Sequence, residues 1–155
     1  HDNARAHFLI PDERALRNWT AFLYFQKGMT LLYAGQEAGC RHLPSLFDRD
    51  AVRWDTGMDL QPLMRELAKL RRDPIFADSR YEVQARPGEI LYARHRKNKR
   101  TLAGIFSVQG RAALVRTEAP AGVYENKIDH RPVEVHQGFL SCAGEPVVIE
   151  YGEEE

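Results

Sequence analysis

The sequence predicts an α/β segment over residues 1–73, followed by an all-β domain over residues 74–155. Three observations carry this fold class. Two stretches before residue 73 have apolar residues at three- and four-residue spacing, which is typical of amphipathic helices. Between them lies a continuous apolar run, which is typical of a strand buried on both faces. After Pro74 apolar and polar residues alternate, as they do in antiparallel strands.

The first helix is predicted over residues 11–26. Leu16, Trp19 and Leu23 recur at helical spacing, and a proline stands where the first turn begins. Gly28 follows directly, at a position that suits the residue just past the last turn. This pattern predicts one helix of about four turns.

Residues 29–34, Met-Thr-Leu-Leu-Tyr-Ala, predict the buried strand, and a second helix follows and ends at Asp73-Pro74. A helix that leads directly into a doubly buried strand is typical of an α/β protein with a parallel sheet. Two helices and one strand cannot enclose a core, since such a strand needs neighbours on both sides. We therefore expect the N-terminal half to belong to a larger unit and to expose apolar surface.

Six or more short strands are predicted beyond residue 74, and turn residues such as Pro87-Gly88 and Gln137-Gly138 separate them. Short strands at this density predict an antiparallel β-sandwich. The basic run at residues 94–100 is predicted to be a hairpin tip and not a nucleic-acid patch. The strands are predicted within residues 81–85, 89–95, 101–108, 111–115, 132–136 and 146–151.

Composition excludes several classes of partner. The sequence has 22 Lys and Arg against 22 Asp and Glu, so no charge excess favours nucleic acid or an anionic membrane. Cys40 and Cys142 are expected to be unpaired thiols. Asp48, Asp50 and Asp55 lack the spacing of a calcium loop, so we expect no metal and no cofactor.

Four blocks of the N-terminal half carry a family resemblance. They are His1-Asp-Asn-Ala-Arg5, the run Gly-Met-Thr-Leu-Leu-Tyr-Ala-Gly-Gln-Glu at residues 28–37, the stretch 46–54, and the helix that ends at residues 67–72. In this order and at these distances they resemble the end of the catalytic barrel of the α-amylase superfamily. The resemblance implies the last βα units of a (β/α)8 TIM barrel, followed by the β-sandwich called domain C.

The same resemblance implies a function. The chain is expected to be the C-terminal part of a retaining α-glycosidase, with an oligosaccharide or polysaccharide as substrate and the missing N-terminal part of the barrel as its partner. Asp2 matches the third catalytic carboxylate, and His1 matches the neighbour that hydrogen-bonds sugar hydroxyls. Arg5 is grouped with His1 as a substrate-binding candidate, although its implied role is closer to supporting the loop. Gln36 and Glu37 are expected to tie the last βα loop to its surroundings.

The chain alone is predicted to be inactive. Retaining glycosidases need a nucleophile and an acid/base carboxylate about 5 Å apart. The resemblance places these groups on the fourth and fifth barrel strands, upstream of His1. Phe47 and Trp54 could stack on sugar rings, but we interpret them as packing residues.

Two alternatives from other classes stay open. The first is a non-catalytic relative that keeps the barrel as a binding or interaction scaffold, which His1 and Asp2 disfavour. The second is a carbohydrate-binding module formed by the sandwich alone. Such modules usually present a row of exposed aromatics, whereas the sandwich aromatics here are scattered and most are expected to pack in the core. They are Tyr81, Tyr92, Phe106, Tyr124, Phe139 and Tyr151.

Overall fold

The computed structural model describes residues 3–152, which form a β-sandwich with helices packed against one sheet. Within this range the helices are α1 (Ala6–Leu9), α2 (Glu13–Phe25), α3 (Gln61–Leu70) and α4 (Ile75–Asp78). The strands are β1 (Arg80–Arg86), β2 (Ile90–Lys97), β3 (Arg100–Ser107), β4 (Ala113–Arg116), β5 (Gly122–Glu125), β6 (Pro132–His136), β7 (Phe139–Cys142) and β8 (Val147–Gly152). No helix in this range is long and apolar enough to cross a membrane.

The strands confirm the predicted sandwich. Sheet A has the order β1-β2-β3-β8 and sheet B the order β4-β7-β6-β5, and neighbouring strands pair antiparallel. Residues 98–99 of the basic run form the tip of the β2-β3 hairpin, as predicted, whereas Arg94 and His95 lie in β2 and are buried. Gln137 and Gly138 both have positive φ (49° and 79°) between β6 and β7, which is the backbone of a tight type I′ hairpin turn. The predicted spans miss β5 and β7, two of the shortest strands.

The predicted strand over residues 29–34 is wrong for this chain. The segment forms no strand, and the side chains of Met29 and Leu31 are 100% and 84% exposed. A strand buried on both faces needs hydrogen-bonding neighbours, and residues 3–152 supply none beside it. The α/β part of the predicted fold class is therefore not seen in the described residues, whose paired strands all run antiparallel.

Both long predicted helices are present, one or two residues shorter at their ends than expected. Helix α2 begins after Asp12, whose side chain accepts a 2.8 Å hydrogen bond from the Ala15 amide and so caps the first turn. Beyond the C-terminal end of α2, Gly28 has a φ of 89°, a conformation that favours glycine. Helix α3 ends before Asp73-Pro74, as the proline predicts.

Helix α2 packs on sheet A through an apolar stripe. Leu16 and Phe25 are almost fully buried there, and the Phe25 ring lies 5.4 Å from the ring of Phe106 on β3. Leu63 and Leu67 of α3 join the same core from the other side of α2. Burying several large apolar side chains contributes about 1.5–3 kcal/mol each, so this contact is the main attachment of the helices to the sandwich.

Asn18 fixes the first half of α2 on the sandwich. Its side chain is fully buried, and its Nδ2 donates to the carbonyl oxygens of Arg14 (2.9 Å) and Gly144 (2.8 Å). Its Oδ1 accepts a 2.8 Å hydrogen bond from the Ser107 amide at the end of β3. One side chain thereby satisfies a backbone group at the end of β3 and another in the turn between β7 and β8. A Cβ on Gly144 would lie 2.5 Å from the Gly110 carbonyl oxygen, so the turn that presents the Gly144 carbonyl requires glycine.

His95 fixes the C-terminal end of α2. Its Nε2 donates to the Phe25 carbonyl (2.8 Å), which leaves Nδ1 as the acceptor for the Ser79 hydroxyl (2.8 Å). The ring is fully buried and stacks on Tyr81 at 4.5 Å. Burial lowers the pKa of His95 from 6.5, the Phe25 carbonyl opposes this effect, and the nearby Arg71 and Lys27 cations add to it. The neutral imidazole is thus the form that fits this contact between α2 and sheet A.

We expect Asn18→Ala to lower the free energy of unfolding by roughly 2–4 kcal/mol, because it strands the Ser107 amide and the Gly144 carbonyl in the core. Urea unfolding followed by circular dichroism measures the change. Gln84→Ala, at an exposed position on edge strand β1, is the control and should stay within about 0.5 kcal/mol of the parent chain. Equal midpoints for the two variants would contradict the anchoring role of Asn18.

We expect acid to weaken the contact that His95 makes between α2 and sheet A. Since the folded state lowers the pKa of His95, the unfolded state binds the extra proton more readily once the pH falls below about 6.5. The free energy of unfolding should therefore fall with decreasing pH from that point. Urea midpoints between pH 7.5 and 5 should show this slope in the parent chain and a smaller slope in His95→Gln. Identical slopes would contradict the assignment.

Candidate functional site

The candidate site lies at the N-terminal end of the chain, where the segment after Asp2 meets the loop that follows residue 33. His1 and Asp2 lie outside the described residues, so their roles stay predictions. Arg5 is the one predicted site residue within the described range. Its surroundings therefore define what the structure says about this site.

Arg5 connects two separate stretches of backbone. Its side chain is 5% exposed, and its Nε and Nη1 donate to the carbonyl oxygens of Ala34 and His42, both at 2.8 Å. The guanidinium also lies over the ring of Tyr33, 4.6 Å from its centroid. These contacts are those of a residue that supports a loop, which is the role its motif implies. Its direct binding of substrate stays a prediction.

Gln36 and Glu37 hold the turn that begins at Tyr33. Gln36 Oε1 accepts from the Tyr33 amide (3.2 Å), and Glu37 Oε2 accepts from the Gly35 amide (2.9 Å). The Glu37 carbonyl accepts from the Leu60 amide (2.8 Å), which ties the turn to the start of α3. These hydrogen bonds fit the expectation that the pair ties this loop to its surroundings.

Gly35 permits the close approach of this turn to its neighbours. Its φ is 89°, and a Cβ there would lie 2.7 Å from Cγ1 of Val52 and 3.3 Å from Nε of Arg5. A side chain at this position would therefore push the arginine and the turn apart.

A second brace, formed by His7 and Arg41, was not predicted. The His7 ring is 8% exposed, and its Nδ1 lies 2.5 Å from the Gly39 carbonyl, to which it must donate. Its Nε2 then accepts from Nε (3.1 Å) and Nη2 (3.0 Å) of Arg41, and Nη2 also donates to the Pro11 carbonyl. Both ring nitrogens of His7 therefore have a hydrogen-bond partner. The two residues are 34 positions apart, so no sequence spacing indicates the pair.

Asp50 orders the loop at residues 42–50, which follows the segment that Arg5 and His7 contact. Its Oδ2 accepts from the Ser45 amide (2.8 Å) and lies 2.5 Å from Nε2 of His42. The Ser45 amide is the larger cause that lowers the pKa of Asp50, and His42 adds to it. The His42 backbone also receives Arg5, so this loop and the Arg5 brace form one connected network.

The helical segment carries a large exposed apolar surface, as the sequence predicts. Phe47 is 95% and Trp54 57% exposed, so their interpretation as packing residues is wrong within this chain. No other element of residues 3–152 approaches closely enough to cover them. Monomeric proteins rarely expose so much contiguous apolar surface without a covering partner or ligand. The further exposed members of this surface are Phe8, Leu9, Met29, Leu31, Leu32, Leu43 and Leu46.

The described residues of this site hold backbone segments in position. Arg5 and His7 fix the segment after Asp2 against residues 34–42 through hydrogen bonds to backbone carbonyls. No cluster of three potential metal-ligating side chains occurs within residues 3–152. Cys40 and Cys142 are both buried and free.

Comparison with sequence families shows which family the sandwich matches. Residues 82–149 match the family described as the bacterial alpha amylase C-terminal domain. This range covers β2 to β7 entirely, most of β1 and half of β8. The chain corresponds to the C-terminal part of a protein of the α-amylase family. Comparison with curated proteins gives no match.

Solved structures extend the likeness over nearly the whole chain. An alpha-amylase from Lactobacillus plantarum is 32% identical with a TM-score of 0.90, over 97% of this chain and 36% of that one. A maltogenic alpha-amylase from Thermotoga neapolitana shares the fold at 18% identity and a TM-score of 0.82, over 99% of this chain and 40% of that one. This chain therefore spans well under half the length of these structures.

We expect Arg5→Ala to free the turn at residues 33–42, because the carbonyl oxygens of Ala34 and His42 lose their donors. Hydrogen exchange should show the Gly39 and Cys40 amides, which bond within this turn, exchanging about tenfold faster or more. Arg65→Ala, an exposed arginine on α3, is the control and should leave these amides unchanged. Unchanged exchange in Arg5→Ala would contradict the brace.

Proposed function

We propose that this chain is the C-terminal part of a retaining α-glycosidase that acts on α-linked glucans or oligosaccharides in carbohydrate metabolism. The observation that supports this most directly is the 32% identity to the Lactobacillus plantarum alpha-amylase along 97% of the chain. The likeness includes the helical segment, which the match to the C-terminal domain family leaves out. The proposal therefore covers the candidate site as well as the sandwich.

In this proposal Asp2 stabilises the positive charge that develops on the sugar ring, and His1 bonds sugar hydroxyls at the cleaved unit. A fixed carboxylate favours an oxocarbenium-like transition state over the ground state, which lowers the barrier. A preorganised carboxylate needs a rigid segment around it. Arg5 and His7 supply rigidity immediately downstream, through five hydrogen bonds that join this segment to residues 34–42.

The proposal assigns residues 1–73 to the last βα units of a (β/α)8 barrel. Residues 29–34 would then pair with barrel strands outside this sequence, and the exposed apolar surface around Leu31 and Phe47 would be covered. The nucleophile and the acid/base carboxylates, about 5 Å apart in retaining enzymes, would also come from outside this sequence. The 155-residue chain alone would then be inactive.

We expect Asp2→Asn, in the longer protein, to reduce kcat on maltoheptaose by at least about a thousandfold, because the neutral amide no longer stabilises the ring cation. Release of reducing sugar measures the rate. The matched control is Asp48→Asn, an exposed carboxylate whose side chain accepts from the Ser45 hydroxyl, and it should retain kcat within about threefold.

The 155-residue chain serves as the second arm of this experiment and should release no sugar. Hydrolysis by this chain alone would contradict its predicted incompleteness. A longer protein that binds maltoheptaose without cleaving it, whether Asp2 is present or replaced, would favour the non-catalytic relative.

A further inference from the structure

A contact between the helical layer and the sandwich runs through His130, an exposed residue in the loop between β5 and β6. Its ring lies between two carboxylates. Nδ1 is 2.8 Å from Oε1 of Glu125 at the end of β5, and Nε2 is 3.4 Å from Oε2 of Glu66 on α3. Glu66 and His130 are 64 positions apart, so the contact joins two separate parts of the fold. We call these three residues the His130 link.

The loop that carries His130 is held in place by its own backbone. The Asn126 amide donates to the Arg131 carbonyl, and the His130 amide donates to the Asn126 carbonyl, both at 2.8 Å. The Asn126 side chain is buried, and its Oδ1 accepts a 2.9 Å hydrogen bond from the Val148 amide on β8. His130 has a φ of 61°, a conformation that few residues other than glycine adopt. The fixed loop therefore determines where the ring stands.

Helix α3 packs beside this loop. Ile128 of the loop lies in the same apolar core as Leu67 of α3. One turn of α3 places Glu66 next to this contact, and its Oε1 accepts a 2.6 Å hydrogen bond from Nζ of Lys69. Its second oxygen, Oε2, faces His130. Apolar packing thus brings the helix to the loop, and the Glu66 carboxylate adds an ionic contact there.

Only the protonated imidazole can bond both carboxylates of the link. An ionised carboxylate offers acceptors alone, so each ring nitrogen of His130 must carry a hydrogen to bond one. The neutral ring carries one hydrogen, and its other nitrogen then presents a lone pair to a negatively charged oxygen. Since the Glu125 contact is the shorter one, we expect the remaining hydrogen to stay on Nδ1. The contact that is lost is therefore the one with Glu66, across to α3.

The charges around His130 favour the protonated ring. Glu125 is the largest cause that raises the pKa of His130, and Glu66 adds to it, while partial loss of water opposes them. His130 is in turn the largest cause that lowers the pKa of Glu125. Lys69 and then His130 lower the pKa of Glu66. The other charged side chains of the loop are Lys127, Asp129 and Arg131.

We propose that the His130 link is a pH-controlled connection between α3 and the sandwich, which is closed when the ring is protonated and open when it is neutral. Because the folded state raises the pKa of His130 above 6.5, the link contributes stability that is fully present below pH 6.5. This contribution is lost as the pH rises through the pKa of His130 in the folded chain. Both carboxylates have pKa values below 4.5, so the link stays closed in mild acid.

The link holds the same helix to which the candidate site is tied. The Leu60 amide at the start of α3 bonds the Glu37 carbonyl in the turn at residues 33–39. His130 responds to pH in the direction opposite to His95, whose contribution is lost as the pH falls. Exposed ion pairs are weak and are screened by salt, so the buried His95 sets the overall pH slope of stability. The His130 link instead changes how firmly α3 is held.

The test follows the 155-residue chain by NMR between pH 5 and 9. We expect the ring protons of His130 to titrate with a midpoint above 6.5, and the carboxyl carbon of Glu66 to shift with the same midpoint. Glu66→Gln and Glu125→Gln should each lower the midpoint of His130, with the larger change in Glu125→Gln. His130→Gln should abolish the response of Glu66. The matched control is Glu89→Gln, an exposed carboxylate between β1 and β2, which should leave the midpoint unchanged.

Each outcome decides the inference. A midpoint of His130 at or below 6.5 in the parent chain overturns it, and so does a Glu66 carbon that does not respond in this pH range. These two readings need no variant, so they hold even where a substitution disturbs the fold. A midpoint that falls in Glu125→Gln but not in Glu66→Gln would confine the ion pair to the sandwich and also overturn the link. The proposed glycosidase function concerns Asp2 and is tested separately.

Discussion

The packing of α2 on sheet A is the contact on which the rest of this structure depends. The apolar stripe supplies most of the attachment, but apolar contact alone allows a helix to slide or rotate. Asn18 and His95 remove that freedom, because each is buried and bonds backbone groups whose positions the sheet fixes. One anchor lies near the middle of the helix and the other at its C-terminal end. They therefore set both the direction of α2 and its height above the sheet.

The candidate site inherits its order from this attachment. Helix α3 packs on α2, and the Leu60 amide at its start bonds the Glu37 carbonyl, so the turn at residues 33–39 is tied to the helical layer. Arg5 and His7 then connect that turn to the segment after Asp2. Apart from the His7–Arg41 contact, these connections end on backbone atoms, so they depend on backbone geometry rather than on the side chains they reach. Such a network suits a site whose main demand is a fixed position.

The helical side of the molecule is open in a way that the sandwich is not. It exposes many large apolar side chains, and residues 29–34 have no strand partner among the described residues. These are features of a surface made to be covered by more protein. In the proposed glycosidase, this side would join the rest of the barrel.

The sequence by itself determined the local elements and the family resemblance. Periodicity predicted α2, α3 and six of the strands, because apolar spacing reflects which face of an element is buried, and four blocks between His1 and Arg72 indicated the α-amylase resemblance. Tertiary structure decided the rest. Residues 29–34 have the composition of a buried strand, yet no strand forms without neighbours to accept its hydrogen bonds. The His7–Arg41 brace joins residues that are distant in sequence, so only the packing that brings them together could reveal it.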